Sequence, residues 1–163
     1  MKIRTQLTAF LPLCISDLID EIRSRIDPIQ FQRIKPHITI CYDDEILDVK
    51  LFSEKLKSVN HNKIKLSFGL PEEFDHGGYF LPSIGDLSEF NYLRETLLQD
   101  AIYKRKNVKP HITLLHPRNS KGIEVNWTTI PNLGNLIFEI DRLSLIEQKN
   151  EEKWEIINWI NLG

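Results

Sequence analysis

One five-residue string occurs twice in this chain, as Lys35-Pro36-His37-Ile38-Thr39 and Lys109-Pro110-His111-Ile112-Thr113, with the histidines 74 positions apart between 37 and 111. β-Branched residues in period-two alternation predict a strand for each copy. Successive side chains of a strand face opposite ways, so His37 and Thr39 share one face while Ile38 and Ile40 take the other. His111 and Thr113 stand likewise against Ile112 and Leu114. The apolar face enters a core, which leaves the His/Thr face looking into a cleft. Pro36 and Pro110 have no N–H to donate and favour a strand start or an edge.

Each copy is predicted to follow an earlier strand and a helix, so the repeat is one of structure as well as spelling. Residues 3 to 11 read as a strand ending at Pro12, and a helix is expected to start at Ser16-Asp17, carry Ile15, Leu18, Ile19, Ile22 and Ile26, and stop at Asp27-Pro28. After the first motif, Asp48 opens a helix with Val49, Phe52, Leu56 and Val59 on one face. Lys63 to Phe68 alternates as a strand, and Pro71 to Gly78 reads as a hairpin connection into Tyr79-Phe80-Leu81. The longest helical pattern, Asp86 to Tyr103, has an Asp86/Glu89 pair at capping-box spacing and leads to the second motif. No helix is expected after that motif. Residues 119 to 135 read as irregular, and strands over about 136–147 and 153–161 form a hairpin through Lys149-Asn150-Glu151-Glu152.

A chain of 163 residues with 41% hydrophobic and 27% charged residues is long enough to bury a core as one domain spanning 1–163. No apolar run approaches the roughly 18 residues of a membrane span, and the start lacks the apolar core of a secretory signal, so a cytoplasmic protein is expected. Cys14 and Cys41 are too few for a disulfide framework or a four-thiolate zinc site and are read as reduced, partly buried thiols. A net charge of −2 disfavours long duplex nucleic acid and favours a small nucleotide or an RNA terminus as partner. Two basic groups, Lys104-Arg105-Lys106 with Lys109 and Arg33 with Lys35, precede the motifs; a solvated surface and a substrate role both stay open for them.

Two histidines across a cleft can divide the labour of phosphodiester chemistry, because an imidazole pKa near 6.5 lets one be neutral and one protonated. The neutral one takes a proton from water or a ribose hydroxyl, and the protonated one gives a proton to the leaving oxygen. Thr39 and Thr113, about 7 Å along the strand from their histidines, are placed to donate to non-bridging phosphate oxygens. This scheme needs no metal and no cofactor. A single His-x-Thr would say little; two copies in the same strand phase behind the same Lys-Pro carry the assignment.

The chain resembles the 2H phosphoesterase superfamily, which contains the 2'-5' RNA ligase-like proteins and the cyclic phosphodiesterases. His37-Ile38-Thr39 and His111-Ile112-Thr113, each followed by an apolar residue, carry the match, with support from the strand ending in Leu11-Pro12 and a last strand beginning at Trp154. The resemblance implies a bilobal α+β fold, duplicated α/β lobes whose two antiparallel sheets frame a central cleft. It implies metal-independent hydrolysis or formation of 2'-linked phosphoesters, with His37 and His111 catalytic and Thr39 and Thr113 binding phosphate. It also makes Tyr42, three residues after the first Thr, a candidate for stacking on a nucleobase, against a packed strand tyrosine. Many relatives have a basic residue three positions after the second Thr; here that position is His116, with Arg118 beyond it, and both are candidate substrate-binding residues. His61 and His76 match nothing and are expected at the surface or in turns, His76 overhanging the cleft.

Three uses of such a cleft are distinguishable: a phosphodiesterase for 2',3'-cyclic or 2'-5'-linked esters, a 2'-5' RNA ligase running the chemistry backwards, and a nucleotide-binding module without turnover. A near-neutral charge weighs against holding two RNA ends, and retention of all four motif residues weighs against a silent module. A metal hydrolase is disfavoured because no carboxylate accompanies His37 and His111 at ligand spacing; Asp43 and Asp44 are read as an exposed turn. A monomer is expected.

Overall fold

A computed structural model describes residues 1–163, the side chain of Thr129 excepted. Nine strands and four helices follow one another as β1 (Ile3–Phe10), α1 (Leu13–Ile26), α2 (Pro28–Arg33), β2 (His37–Cys41), α3 (Val49–Lys57), β3 (Ile64–Phe68), β4 (Glu72–Glu73), β5 (Tyr79–Ile84), α4 (Ser88–Leu98), β6 (His111–Leu115), β7 (Leu136–Ile140), β8 (Arg142–Lys149) and β9 (Glu155–Asn161). All strand pairs are antiparallel. One sheet runs β2-β1-β8-β9; the other runs β4-β5-β3-β7, with β6 also paired to β5. The fold is α+β, and both motif strands, β2 and β6, are sheet edges, as a proline ahead of each requires.

The unit β1-α1-β2 repeats as β5-α4-β6. Phe10 pairs with His37 in the first, and Pro82 with His111 in the second. Alternation along the strands sends Ile38, Ile40, Ile112 and Leu114 into the core at 0% exposure. There they join Leu66, Phe68 and Phe138 of the second sheet and Leu7, Leu143 and Leu145 of the first in one cluster. Each such side chain contributes about 1.5–3 kcal/mol by leaving water.

Several elements depart from the sequence expectation. α1 starts at Leu13, because the Pro12 carbonyl accepts from the Ile15 and Ser16 N–H groups; Ser16 is inside the helix. Pro28 ends α1 and also opens α2, where its lack of an N–H costs nothing, and Asp27 caps that helix by accepting from the Gln30 N–H. α4 spans Ser88–Leu98 only, so Ala101 and Tyr103 lie beyond it; Asp86 accepts from Ser88 and forms no capping box with Glu89. The stretch 136–147 is two strands, since the chain changes sheets at Asp141: β7 pairs with β3, and β8 with β1 and β9. Cys14 is exposed and Cys41 buried, both free thiols. His61 is buried against Tyr92 and is no surface residue, whereas His76 is an exposed turn residue. Among the described residues no helix is long and apolar enough to cross a membrane.

Candidate active site

The two motif strands carry the same irregularity at the same place. Along β2 the pairing with β1 shifts between Thr8–Thr39 and Leu7–Cys41, which leaves Ile40 as the extra residue of a bulge. Along β6 it shifts between Phe80–Thr113 and Tyr79–Leu115, with Leu114 extra. Ile40 and Cys41 are therefore buried in succession, as are Leu114 and Leu115, and the next residue returns to the His/Thr side. The bulge puts Tyr42 on the face of His37 and Thr39, and His116 on the face of His111 and Thr113. Strict alternation would have sent both to the opposite side.

The four motif side chains are half-buried. His37 Nδ1 lies 2.9 Å from the Lys35 carbonyl, and His111 Nδ1 3.3 Å from that of Lys109. A carbonyl only accepts, so in each neutral ring the proton sits on Nδ1 and Nε2 is left with its lone pair. His116 has the opposite arrangement. Its Nδ1 accepts from the Arg118 N–H at 3.1 Å, which puts the ring proton on Nε2 as a donor. Burial pushes His37 down to about 4, against a contrary pull from the Lys35 carbonyl, and the charges of Arg23, His111 and His116 lower it further. Burial lowers His111 as well, while burial with the Arg118 charge takes His116 to about 4. The charges of His111 and His116 thus act on His37, and that of His111 on His116.

Buried ions hold both strand ends. Asp27, 0% exposed, accepts from the His116 N–H at 2.8 Å, from Asn119 Nδ2 at 2.8 Å and from the Gln30 N–H, so the end of α1 fixes the loop after β6. In return, Arg94 of α4 donates to the Ile40 carbonyl at the β2 bulge and to both oxygens of Glu45, at 2.7 and 3.1 Å. Glu45 also accepts from the Tyr42 and Arg105 N–H groups. Each helix thus pins the other lobe's motif. Sequence reasoning missed Arg23, Arg94, Glu45 and Asp27, although Arg23 beside Ile22 and Arg94 between Leu93 and Leu97 interrupt apolar stripes, a signal that a charge is buried with partners.

The surroundings differ between lobes. Phe10 packs edge-on to His37 at 6.3 Å, and Thr8, opposite Thr39, has a buried hydroxyl without a protein partner among the described residues. His111 meets two rings, Phe74 and Phe80, stacked on each other at 4.2 Å and lying edge-on to it at 5.5 and 5.6 Å. Tyr42 is half-buried with the Arg105 guanidinium over its ring at 4.2 Å, so one face is already taken. Arg118 is exposed in a 3-10 turn over Pro117–Asn119. Asp43 and Asp44 do lie in a turn, but half-buried and paired rather than exposed: Arg4 holds the first at 2.9 Å and Arg105 the second at 3.0 Å. Among the described residues no three His, Cys, Asp or Glu side chains are grouped to hold a metal ion.

The family model described as the 2'-5' RNA ligase superfamily matches residues 11–152. No curated protein matches this chain. Among solved structures, Escherichia coli LigT in apo form is 16% identical, covers 98% of this chain and 96% of its own, and superposes with a TM-score of 0.69. The same protein complexed with 3'-AMP is 15% identical, with 98% and 97% covered and a TM-score of 0.68. TT0787 of Thermus thermophilus is 16% identical, with 97% of each chain covered and a TM-score of 0.61. These likenesses show the LigT-like fold.

Proposed function

The chain belongs to the 2'-5' RNA ligase superfamily, and from that premise we propose that it is a metal-independent phosphodiesterase for 2',3'-cyclic or 2'-5'-linked phosphoesters of nucleotides or RNA ends. One observation carries the reading: His37 and His111, from repeated units, each commit Nδ1 to the carbonyl two residues back and leave Nε2 for proton transfer. The binding of 3'-AMP by LigT supports a small nucleotide as partner.

In the proposed reaction His37 Nε2 takes a proton from water as its oxygen bonds to phosphorus, and the phosphorus–oxygen bond to one ribose oxygen breaks. Protonated His111 gives the Nε2 proton to that leaving oxygen, and solvent exchange restores both imidazoles. The deeper burial and added positive charges at His37 favour its neutral form and hence the base role. A bound phosphodiester anion favours protonation of the other ring. Thr39 and Thr113 donate to the non-bridging oxygens, and His116 adds a neutral Nε2–H donor where Arg118 stays outside. Phe74 and Phe80 offer an apolar wall for the nucleoside at the His111 side, and Tyr42, with Arg105 over one face, is the candidate for stacking on a base. The sequence expectations of a cytoplasmic monomer without a cofactor go with this reading.

A panel of 2',3'-cyclic nucleotides, 2'-5' dinucleotides and RNA termini, with the product phosphate position read by phosphorus NMR, tests it. Turnover is expected, and His37→Ala and His111→Ala should each lower kcat by about 10²–10⁴ with an unchanged circular dichroism spectrum. Normal turnover by either variant refutes the two-histidine mechanism.

A further inference from the structure

Alternation along the second sheet carries the face of His111 beyond the two phenylalanines. Pro82 stands opposite His111, and Ile84, two residues further along β5, shares its face. Ile84 is opposite Ser67 of β3, and Ser67 is opposite Ile137 of β7, so these three side chains form one row across the sheet. Their neighbours Phe68, Leu136 and Phe138 take the other face, into the core. Strand spacing and rise put the Cα atoms of Ile84 and Ile137 about 8 Å and about 16 Å from that of His111. The row thus leads away from the histidine on the histidine's own side of the sheet.

The open face of an antiparallel sheet is normally polar, since alternation sends the apolar residues inward. Here Ile84 is 40% and Ile137 57% exposed. Gly69 joins Pro82 to Ile84: its N–H donates to the Pro82 carbonyl, and a Cβ there would meet Ile84 Cγ2 at 3.2 Å and Pro82 Cγ at 3.8 Å. Both side chains therefore close over bare backbone. Pro82, Ile84, Ser67 and Ile137 make a strip without a charged side chain, and the next row on that face, Lys65 opposite Glu139, ends it. The first sheet differs. On its corresponding face Thr39 is followed by Thr8 and then Ser144, a row of three hydroxyl residues.

We infer that this strip binds the leaving alcohol of the substrate, that the alcohol carries an uncharged apolar body and no further phosphate, and that Ile84 and Ile137 are specificity-determining residues for it. The inference rests on the catalytic reading above, which sets the leaving oxygen at His111. An apolar body laid across the strip gains by the surface it removes from water; covering about 80 Å² of it strengthens binding roughly 30-fold. A phosphate on the same alcohol would lose hydration and meet no cation along Pro82, Ile84, Ser67 and Ile137.

The test compares kcat/KM for adenosine 2'-phosphodiesters of three unactivated alcohols: methanol, 2-(2-naphthyl)ethanol and ethylene glycol monophosphate. The naphthylethyl ester is expected to be favoured over the methyl ester about tenfold or more, and the phosphate-bearing ester not to be favoured. Ile84→Asn and Ile137→Asn should each lower the naphthylethyl-to-methyl ratio about three-fold. A ratio near one in the unaltered protein, a preference for the phosphate-bearing ester, or a ratio that both variants keep overturns the inference. Where the esters are not turned over, the strip is judged alone, by NMR of the isoleucine δ1-methyl groups during titration with the naphthylethyl ester. Shifts of the Ile84 and Ile137 methyl signals larger than those caused by the methyl ester then support the strip; unmoved signals overturn it. Failure of the catalytic reading is seen separately, as absence of turnover with a 2',3'-cyclic nucleotide as well.

Discussion

Acidification separates this site from an ordinary histidine pair. His37 is pushed down to about 4 by burial, with Arg23, His111 and His116 adding to the effect. At about pH 5 an imidazole with the usual pKa near 6.5 is roughly 3% neutral, whereas one that titrates near 4 is roughly 90% neutral. The supply of general base at that pH is therefore about thirty-fold larger than an exposed histidine would give. His111 is lowered too, so its protonated form is lost below the usual imidazole value as pH rises. The profile of kcat/KM for a 2',3'-cyclic nucleotide, which reports the free enzyme, should be a bell with its acid midpoint near 4 and its alkaline midpoint below about 6.5. The assay is a pH series from about 3.5 to about 8 at constant ionic strength, repeated with a p-nitrophenyl ester. Nitrophenolate leaves without a proton, so the alkaline limb should vanish for that ester, and His111→Ala should recover about 10² of its lost rate. An acid midpoint near 6.5 would refute the argument that burial and neighbouring charge hold His37 neutral.

Two substitutions probe the frame. Glu45→Gln leaves the buried guanidinium of Arg94 without its counter-ion, which should cost about 3–5 kcal/mol, seen as a lower urea midpoint at unchanged slope; a loss below about 1 kcal/mol would show that Glu45 does not anchor the β2 bulge. Gly78→Ala forces a side chain onto a backbone at φ +86° and drives its Cβ against the Leu115 carbonyl and to 3.0 Å from the Pro117 nitrogen. It should destabilise the protein by at least about 2 kcal/mol, and a thermal midpoint equal to that of the parent would contradict the close approach of that turn to the end of β6.

What could be read in the sequence depended on how local its cause was. Strand phase at His37-Ile38-Thr39 and His111-Ile112-Thr113 needs only the residues themselves, and so does the apolar face of α1, α3 and α4. The break at Asp141 does not: 136–147 reads as one strand, and only the partners β3 and β1 assign its halves to different sheets. α2 was hidden for a different reason. Asp-Pro halts a helix and can also cap and begin one, and the side-chain contact of Asp27 with Gln30 decides between them. The bulges were equally hidden, because an extra residue exists only relative to a paired strand.

The bulges also show what was duplicated. Both insert one residue directly after the motif threonine, so the repeat extends to backbone irregularity, and Tyr42 and His116 occupy equivalent places. Equivalent backbone with unequal side chains gives the site a direction. Near His37 the added groups are a buried hydroxyl at Thr8 and the nearby charge of Arg23; near His111 they are two stacked phenylalanines. A symmetric frame accounts for two imidazoles placed alike, as the proposed reaction requires, in which acid and base must both reach one phosphorus. It cannot by itself assign one to the attacking side and one to the leaving side. That assignment needs environments that pull two identical groups apart, and Thr8 against Phe80 and Tyr42 against His116 are where this chain departs from its own symmetry.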